Sequence, residues 1–164
     1  MNHDIFSSVD EQRLNTLFLQ AERADSRRAH LLLHRDAADP VQRLLVALNP
    51  GTYIPPQRHL LQWELQLLIF GRIRTFTFNE NSHVLEIFEL SESTLRLVQV
   101  PAGTWHTVIA LEPRTLLFEV KPGPYERGEC VSWAPQEQNS HSAEIVAWLN
   151  NAQIGDLWRP CPAG

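Results

Sequence analysis

The chain begins with a helical period and then changes to a strand period. From Ser8 to Ala24 the apolar residues Val9, Leu14, Leu17, Phe18 and Ala21 recur at spacings of three to five. That is the stripe of an amphipathic helix, with Ser8 or Asp10 placed to cap its start. Asp25 to Arg28 reads as a turn, Ala29 to His34 as a strand and Asp36 to Pro40 as a second turn. From Val41 onward, short runs rich in Val, Ile, Leu, Phe and Thr alternate with Gly, Pro, Asn and Ser. The pattern predicts strands near 41–48, 63–70, 72–78, 84–90, 95–100, 104–111 and 114–121. No helical crossover lies between them, so the strands must pair antiparallel, as a sandwich or small double-sheet barrel. The segment PGPYERGECVSWAPQEQNS then reads as an irregular strap anchored by Tyr125 and Trp133. His141 to Asn150 carries Ile145, Val146, Trp148 and Leu149 at helical spacing, and Gly155 to Gly164 reads as a loose tail.

Length and composition narrow the picture further. The 164 residues suit one domain, with the helix at about 8–24, the barrel at about 28–121 and the strap and C-terminal helix in 122–164. A formal net charge of -5 gives no general attraction for a phosphate backbone, so nucleic acid is not an expected partner. The apolar runs are too short for a membrane span, and MNHDIFSSVDEQ lacks a basic start and an apolar core, so a cytoplasmic protein with a small-molecule partner is expected. Cys130 and Cys161 form no CxxC pair and are expected to be ordinary reduced thiols.

Candidate chemistry concentrates in two places, GTYIPPQRHLLQWELQLLIFG at Gly51–Gly71 and PAGTWHT at Pro101–Thr107. Residues two apart on a strand share a face, so Gln57 and His59 point together, and Glu64 joins them if its strand runs alongside. His106 begins a later strand after a Pro-x-Gly turn. Two imidazoles and a carboxylate suit a divalent first-row transition metal with positions left for water or substrate. His3, His83 and His141 fall in terminal or turn-like sequence, and His30 and His34 share a strand face at a rim or surface. Trp63 and Trp105 each precede a proposed ligand and therefore point to the opposite face, as packing anchors. No GxSxG elbow, P-loop or Gly-rich dinucleotide fingerprint is present, which leaves hydrolase, nucleotide-binding and dehydrogenase readings without their parts.

The spacing G-x5-Q-x-H-x4-E-x6-G followed by P-x-G-x2-H resembles the two motifs of the cupin superfamily. SRRAHLLLH, DPVQRLLVALNPGTYIPPQRH, QWE, PAGTWHTVIALEP, FEVKPGPY and SWAP resemble the WbuC-type cupin fold metalloproteins, which are bacterial and often associated with surface polysaccharide gene clusters. The resemblance covers roughly residues 26–135. It implies a mainly all-β, cupin-type antiparallel barrel (double-stranded β-helix or jelly roll) between an N-terminal and a short C-terminal helix. It also implies a divalent metal (Fe, Mn, Ni or Zn) held by His59, Glu64 and His106, and a small polar substrate such as a sugar or sugar-nucleotide of lipopolysaccharide biosynthesis. Gln57 stands where the family pattern PHRH has its first histidine, and an amide oxygen is a poorer ligand than imidazole. Gln57 is therefore expected as a weak ligand or hydrogen-bond partner. The alternatives are a non-catalytic small-molecule-binding cupin with a degenerate metal site and an Fe(II) cupin dioxygenase. Arg43, Arg72, Lys121 and Tyr125 are the substrate-binding candidates, and pairing through exposed edge strands implies a homodimer.

Overall fold

Residues 8–137 and 141–159 are described by the computed structural model. The opening helix α1 (Glu11–Arg23) starts where Asp10 caps it, the Asp10 carboxylate accepting from the Arg13 amide at 2.8 Å. Its apolar stripe buries Leu17, Phe18 and Ala21. The strands that follow are β1 (Arg28–Leu32), β2 (Val41–Leu48), β3 (Gln57–Arg58), β4 (Glu64–Phe70), β5 (Arg72–Phe78), β6 (Val84–Ser91), β7 (Leu97–Val100), β8 (Trp105–Ala110), β9 (Thr115–Pro122) and β10 (Glu129–Cys130), ahead of helix α2 (Ser142–Asn151).

The strands form two five-stranded sheets, ordered β1-β2-β9-β4-β7 and β10-β3-β8-β5-β6, and every pairing between these strands is antiparallel. This is the double-sheet antiparallel barrel expected from the sequence, with one helix against the outside of each sheet. The period-2 alternation sorts residues between faces. Outward Leu45, Ala47 and Leu116 pack under α1, while outward Phe76, Phe78, Trp105 and Ile109 pack with Ile145, Val146 and Leu149 of α2. Inward Val46, Leu48, Leu68, Ile73, Val108 and Leu117 meet between the sheets.

The inward rows change character along the barrel. In β9 they run Leu117, Glu119, Lys121; in β4, reading towards the N-terminus, Leu68, Gln66, Glu64; in β8, Ala110, Val108, His106. One end of the interior is thus a dry apolar plug and the other a polar cavity. The turn that feeds β5 needs Gly71, whose φ of +83° suits glycine and whose missing Cβ would stand 2.9 Å from Thr115 Cα.

Two expectations are corrected. The segment from Gly155 is not loose as far as it is described. Leu157 bridges to His83, Trp158 is buried, and the Ser82 hydroxyl donates to the Trp158 carbonyl at 3.1 Å. Residues 160–164, including Cys161, and residues 1–7, including His3, lie outside the described residues. Tyr125 is exposed instead of buried as an anchor: its backbone amide donates to the Ala37 carbonyl at 2.7 Å, and its ring meets the Lys121 ammonium, 5.9 Å from the ring centre. Trp133 does anchor it, its ring 5.3 Å from that of Phe78. Among the described residues no helix is long and apolar enough to cross a membrane.

Candidate metal centre

The polar end of the barrel is assembled from the two sequence motifs. Gln57 pairs with His106 across β3 and β8, and the Gly103 amide of the Pro-Ala-Gly turn donates to the His59 carbonyl at 2.7 Å. Gly103 takes φ +76°, which admits the tight turn. These contacts hold the later motif against the earlier one and bring His59, Glu64 and His106 together, all three buried.

The cluster is centred on the Glu64 carboxylate. His59 Nε2 lies 3.7 Å from Glu64 Oε2, and His106 Nε2 lies 3.8 Å from Glu64 Oε1. Hydrogen bonding sets the imidazole orientation. His106 Nδ1 is 2.9 Å from the Thr104 carbonyl, which can only accept, so Nδ1 carries a proton and Nε2 faces the cavity. Buried His106 Nε2 has no hydrogen-bond partner. A relay fixes the carboxylate from the apolar side: the Thr75 hydroxyl donates to Gln66 Oε1 at 2.7 Å, and Gln66 Nε2 donates to Glu64 Oε1 at 2.9 Å. Lys121 completes the group, its Nζ 3.2 Å from His59 Nε2 and 3.9 Å from Glu64 Oε2.

The charges follow from this packing. Burial opposes ionisation of Glu64, but His106 and Lys121 outweigh it and hold its pKa down to about 2. Burial likewise disfavours a charged His106, and the facing Glu64 carboxylate overcomes it and raises the pKa. For His59 burial prevails, with the Lys121 charge added, and the pKa is lowered. Glu119, pointing inward two residues before Lys121, is pushed up to about 8 by burial first and by the Glu64 charge second. The surroundings thus favour the charged form of Glu64 and the neutral form of Glu119.

The donor set suits a divalent transition metal: two imidazoles, one anionic carboxylate, and an orphaned His106 Nε2 aimed into the cluster. Two donors sharing an ion at about 2.1 Å stand roughly 3.0–3.6 Å apart, slightly closer than the 3.7 and 3.8 Å found here. Among the described residues no group of three or more His, Cys, Asp or Glu side chains is gathered tightly enough to hold an ion as it stands. The chemistry fits, and a lysine stands beside two of the three side chains.

The cluster opens into a cavity of about 620 Å³ whose wall includes Arg28, His30, Gln57, Glu119, Tyr125 and Cys130. Arg28 is already engaged, at 2.7 Å from Glu137 and donating to the Tyr53 carbonyl at 3.0 Å. The strap passes close above the site, since a Cβ on Gly128 would stand 3.2 Å from His59 Cε1 and 3.3 Å from Gln57 Oε1. Of the four substrate-binding candidates, Lys121 and Tyr125 line this cavity and two do not. Arg43 takes the opposite parity on β2, facing outward with Leu45, and pairs with Asp39 at 3.2 Å. Arg72 lies at the far end of the second sheet, bound to Glu89 at 2.6 Å. Trp105 is buried outside the barrel with the Arg58 guanidinium 4.2 Å over its ring, whereas Trp63 stays 37% exposed.

Residues 9–90 match a family model described as Domain of unknown function (DUF6016). No curated protein matches the sequence. Among solved structures, the chain is similar to an uncharacterized conserved protein with a double-stranded β-helix domain from Klebsiella pneumoniae, at 11% identity and TM-score 0.58, over 80% of this chain and 97% of that one. It is also similar to a cupin-2 domain from Rhodospirillum rubrum, at 11% identity and TM-score 0.50, over 76% and 78% of the two chains. A third likeness is to the oxalate decarboxylase of Lactobacillus farciminis, solved with formate, at 16% identity and TM-score 0.53 over 76% of this chain. The chain spans only 39% of that enzyme. At these identities the likenesses establish the cupin fold.

Proposed function

The chain belongs to the DUF6016 family, and on that premise we propose that its polar cavity is a divalent-metal site that receives a small polar metabolite. The observation that carries the reading is the convergence of His59 Nε2 and the orphaned His106 Nε2 on the two oxygens of one buried carboxylate, Glu64. A buried carboxylate needs a cation beside it, a place that Lys121 fills here and that a metal would take in its stead. His59, Glu64 and His106 would hold the metal, and Gln57 would contribute its amide oxygen or orient the bound molecule. A metal bound there would polarise a carbonyl or hydroxyl, or activate water. Tyr125 at the rim and Lys121 on the wall would meet the ligand. The resemblance to WbuC-type cupins directs the ligand panel towards sugars and sugar-nucleotides of surface polysaccharide synthesis.

Elemental analysis tests the metal. Protein prepared without chelators is expected to carry a transition metal, and Gln57→His, which restores an imidazole at the weak position, is expected to raise occupancy towards one per chain. Substoichiometric metal in both proteins would overturn the reading. It would favour the second one, a metal-free binding module, for which Gln57 and the Lys121 ammonium among the ligands speak. We also propose a homodimer formed through the exposed strand edges, Leu97 on edge strand β7 being 44% exposed. Light scattering after size exclusion is expected to give twice 18.8 kDa, and the monomer mass alone would refute pairing.

A further inference from the structure

In the protein as it stands, the cation among the three proposed ligands is a lysine. Lys121 Nζ stands 3.2 Å from His59 Nε2 and 3.9 Å from Glu64 Oε2, themselves 3.7 Å apart. A lysine ammonium has donors only, so His59 Nε2 accepts from it and offers the same lone pair that a metal would use. The Lys121 side chain is 12% exposed and those of His59 and Glu64 are 5% exposed, so the contact is shielded from water. Such a charge-assisted bond is stronger than a solvent-exposed one. Glu64 is satisfied in charge without any ion.

Strand register places the lysine there. Leu65 pairs with Val120, which sets Lys121 beside Glu64 on the inner face, and Glu119 two residues earlier lines the same cavity. From that position Lys121 Nζ reaches the His59 imidazole. The lysine thus stands at the wider-than-ligand gap between His59 Nε2 and Glu64 Oε2.

We propose that Lys121 is an internal competitor for the metal: its ammonium occupies the cation position in the metal-free protein and must leave before His59 Nε2 can ligate. This rests on the metal reading above. Metal affinity is then set by two features of this chain acting together, the weak oxygen of Gln57 and the cost of displacing Lys121. Once displaced, the ammonium is free to meet an anionic group of the ligand in the cavity.

Equilibrium dialysis and calorimetry with Zn(II) and Mn(II) alone test this on the wild type, Lys121→Met, Lys121→Arg and His106→Ala. Methionine keeps an unbranched stem without the charge, and metal is expected to bind it at least about tenfold more tightly than wild type, the equivalent of one lost charged hydrogen bond. Arginine keeps a permanent cation and is expected to bind no more tightly than wild type. His106→Ala is expected to lose binding. A purely structural role for Lys121 would move Met and Arg in the same direction, which would overturn the proposal. Equal affinities for wild type and Lys121→Met, both abolished by His106→Ala, would also overturn it while leaving the metal reading intact. Absence of binding in wild type and in Lys121→Met together would remove both. Thermal shifts guard against misfolding: Lys121→Met is expected to melt lower than wild type without metal and to gain more on metal addition.

Discussion

Glu64→Gln is expected to lower affinity for a divalent metal at least about a hundredfold and to destabilise the fold by about 3–5 kcal/mol. The two effects have different origins and can be separated. Glutamine keeps the shape of the side chain and can still accept from Gln66 Nε2, now 2.9 Å from Glu64 Oε1, so the relay from Thr75 survives. The negative charge does not survive, so Lys121 Nζ and His106 Nε2, at 3.9 and 3.8 Å from the carboxylate, lose their counter-ion, and His59 Nε2 at 3.7 Å loses a polar neighbour. A buried positive group left without its anion is costly, since the interior offers no water to replace it. Against a total stability of about 5–15 kcal/mol, the loss is large but leaves room for a folded protein. Urea unfolding measures the stability term, and equilibrium dialysis with Zn(II) or Mn(II) measures the metal term. Unchanged metal affinity in a folded Glu64→Gln protein would remove Glu64 from the ligand set. Unchanged stability would mean that the carboxylate is not the anion that balances this cavity.

The sequence showed the strands more clearly than the cavity, for a physical reason. Gly71, Gly103 and the Asn- and Ser-rich turns punctuate the chain, so the predicted span 41–48 coincides with β2, 72–78 with β5, and the others fall within three residues at either end. β3 and β10 were not legible, being two residues each, too short for any period to show. The motif spacing marked Gln57, His59, Glu64 and His106, because the cupin pattern records which positions meet inside the barrel. It did not mark Gln66, Thr75 or Glu119, whose roles depend on neighbours across strands. The signal for Glu119 was present in the parity of β9, since an inward Lys121 requires an inward residue two before it. Knowing that Lys121 points inward, however, requires the pairing of β9 with β4. Arg43 and Arg72 show the same limit from the other side. An arginine on a strand has two faces to choose from: Leu45 and Ala47, packed under α1, set the outward face that Arg43 shares on β2, and Ile73, packed between the sheets, turns its neighbour Arg72 outward on β5.

Phe76→Ala is expected to cost about 3–5 kcal/mol of stability. Phe76 is fully buried on the outer face of β5, in the cluster that joins Trp105 and Ile109 of β8 to Ile145 and Leu149 of α2. Its ring lies 6.2 Å from that of Phe78, and its register partner on β8 is Thr107, next to His106. Removing the ring leaves a void between sheet and helix that rigid strands cannot close, so transfer and cavity costs add. For a chain of this length the loss corresponds to a fall in melting temperature of roughly 6–20 °C. The inward side chains of β5, Thr75 and Thr77, are untouched, and the β5–β8 ladder that carries His106 is held by backbone bonds on both sides of the site. Metal affinity of the folded fraction is therefore expected to stay within about threefold of wild type, since the change lies on the opposite face of the sheet. Leu61→Ala serves as the control: Leu61 is 85% exposed, and its truncation is expected to change stability by no more than about 0.5 kcal/mol. A Phe76→Ala protein as stable as that control would show that α2 does not clamp the second sheet. Loss of metal affinity in step with stability would show that the outer packing, as well as the ligands, sets the geometry of the cavity.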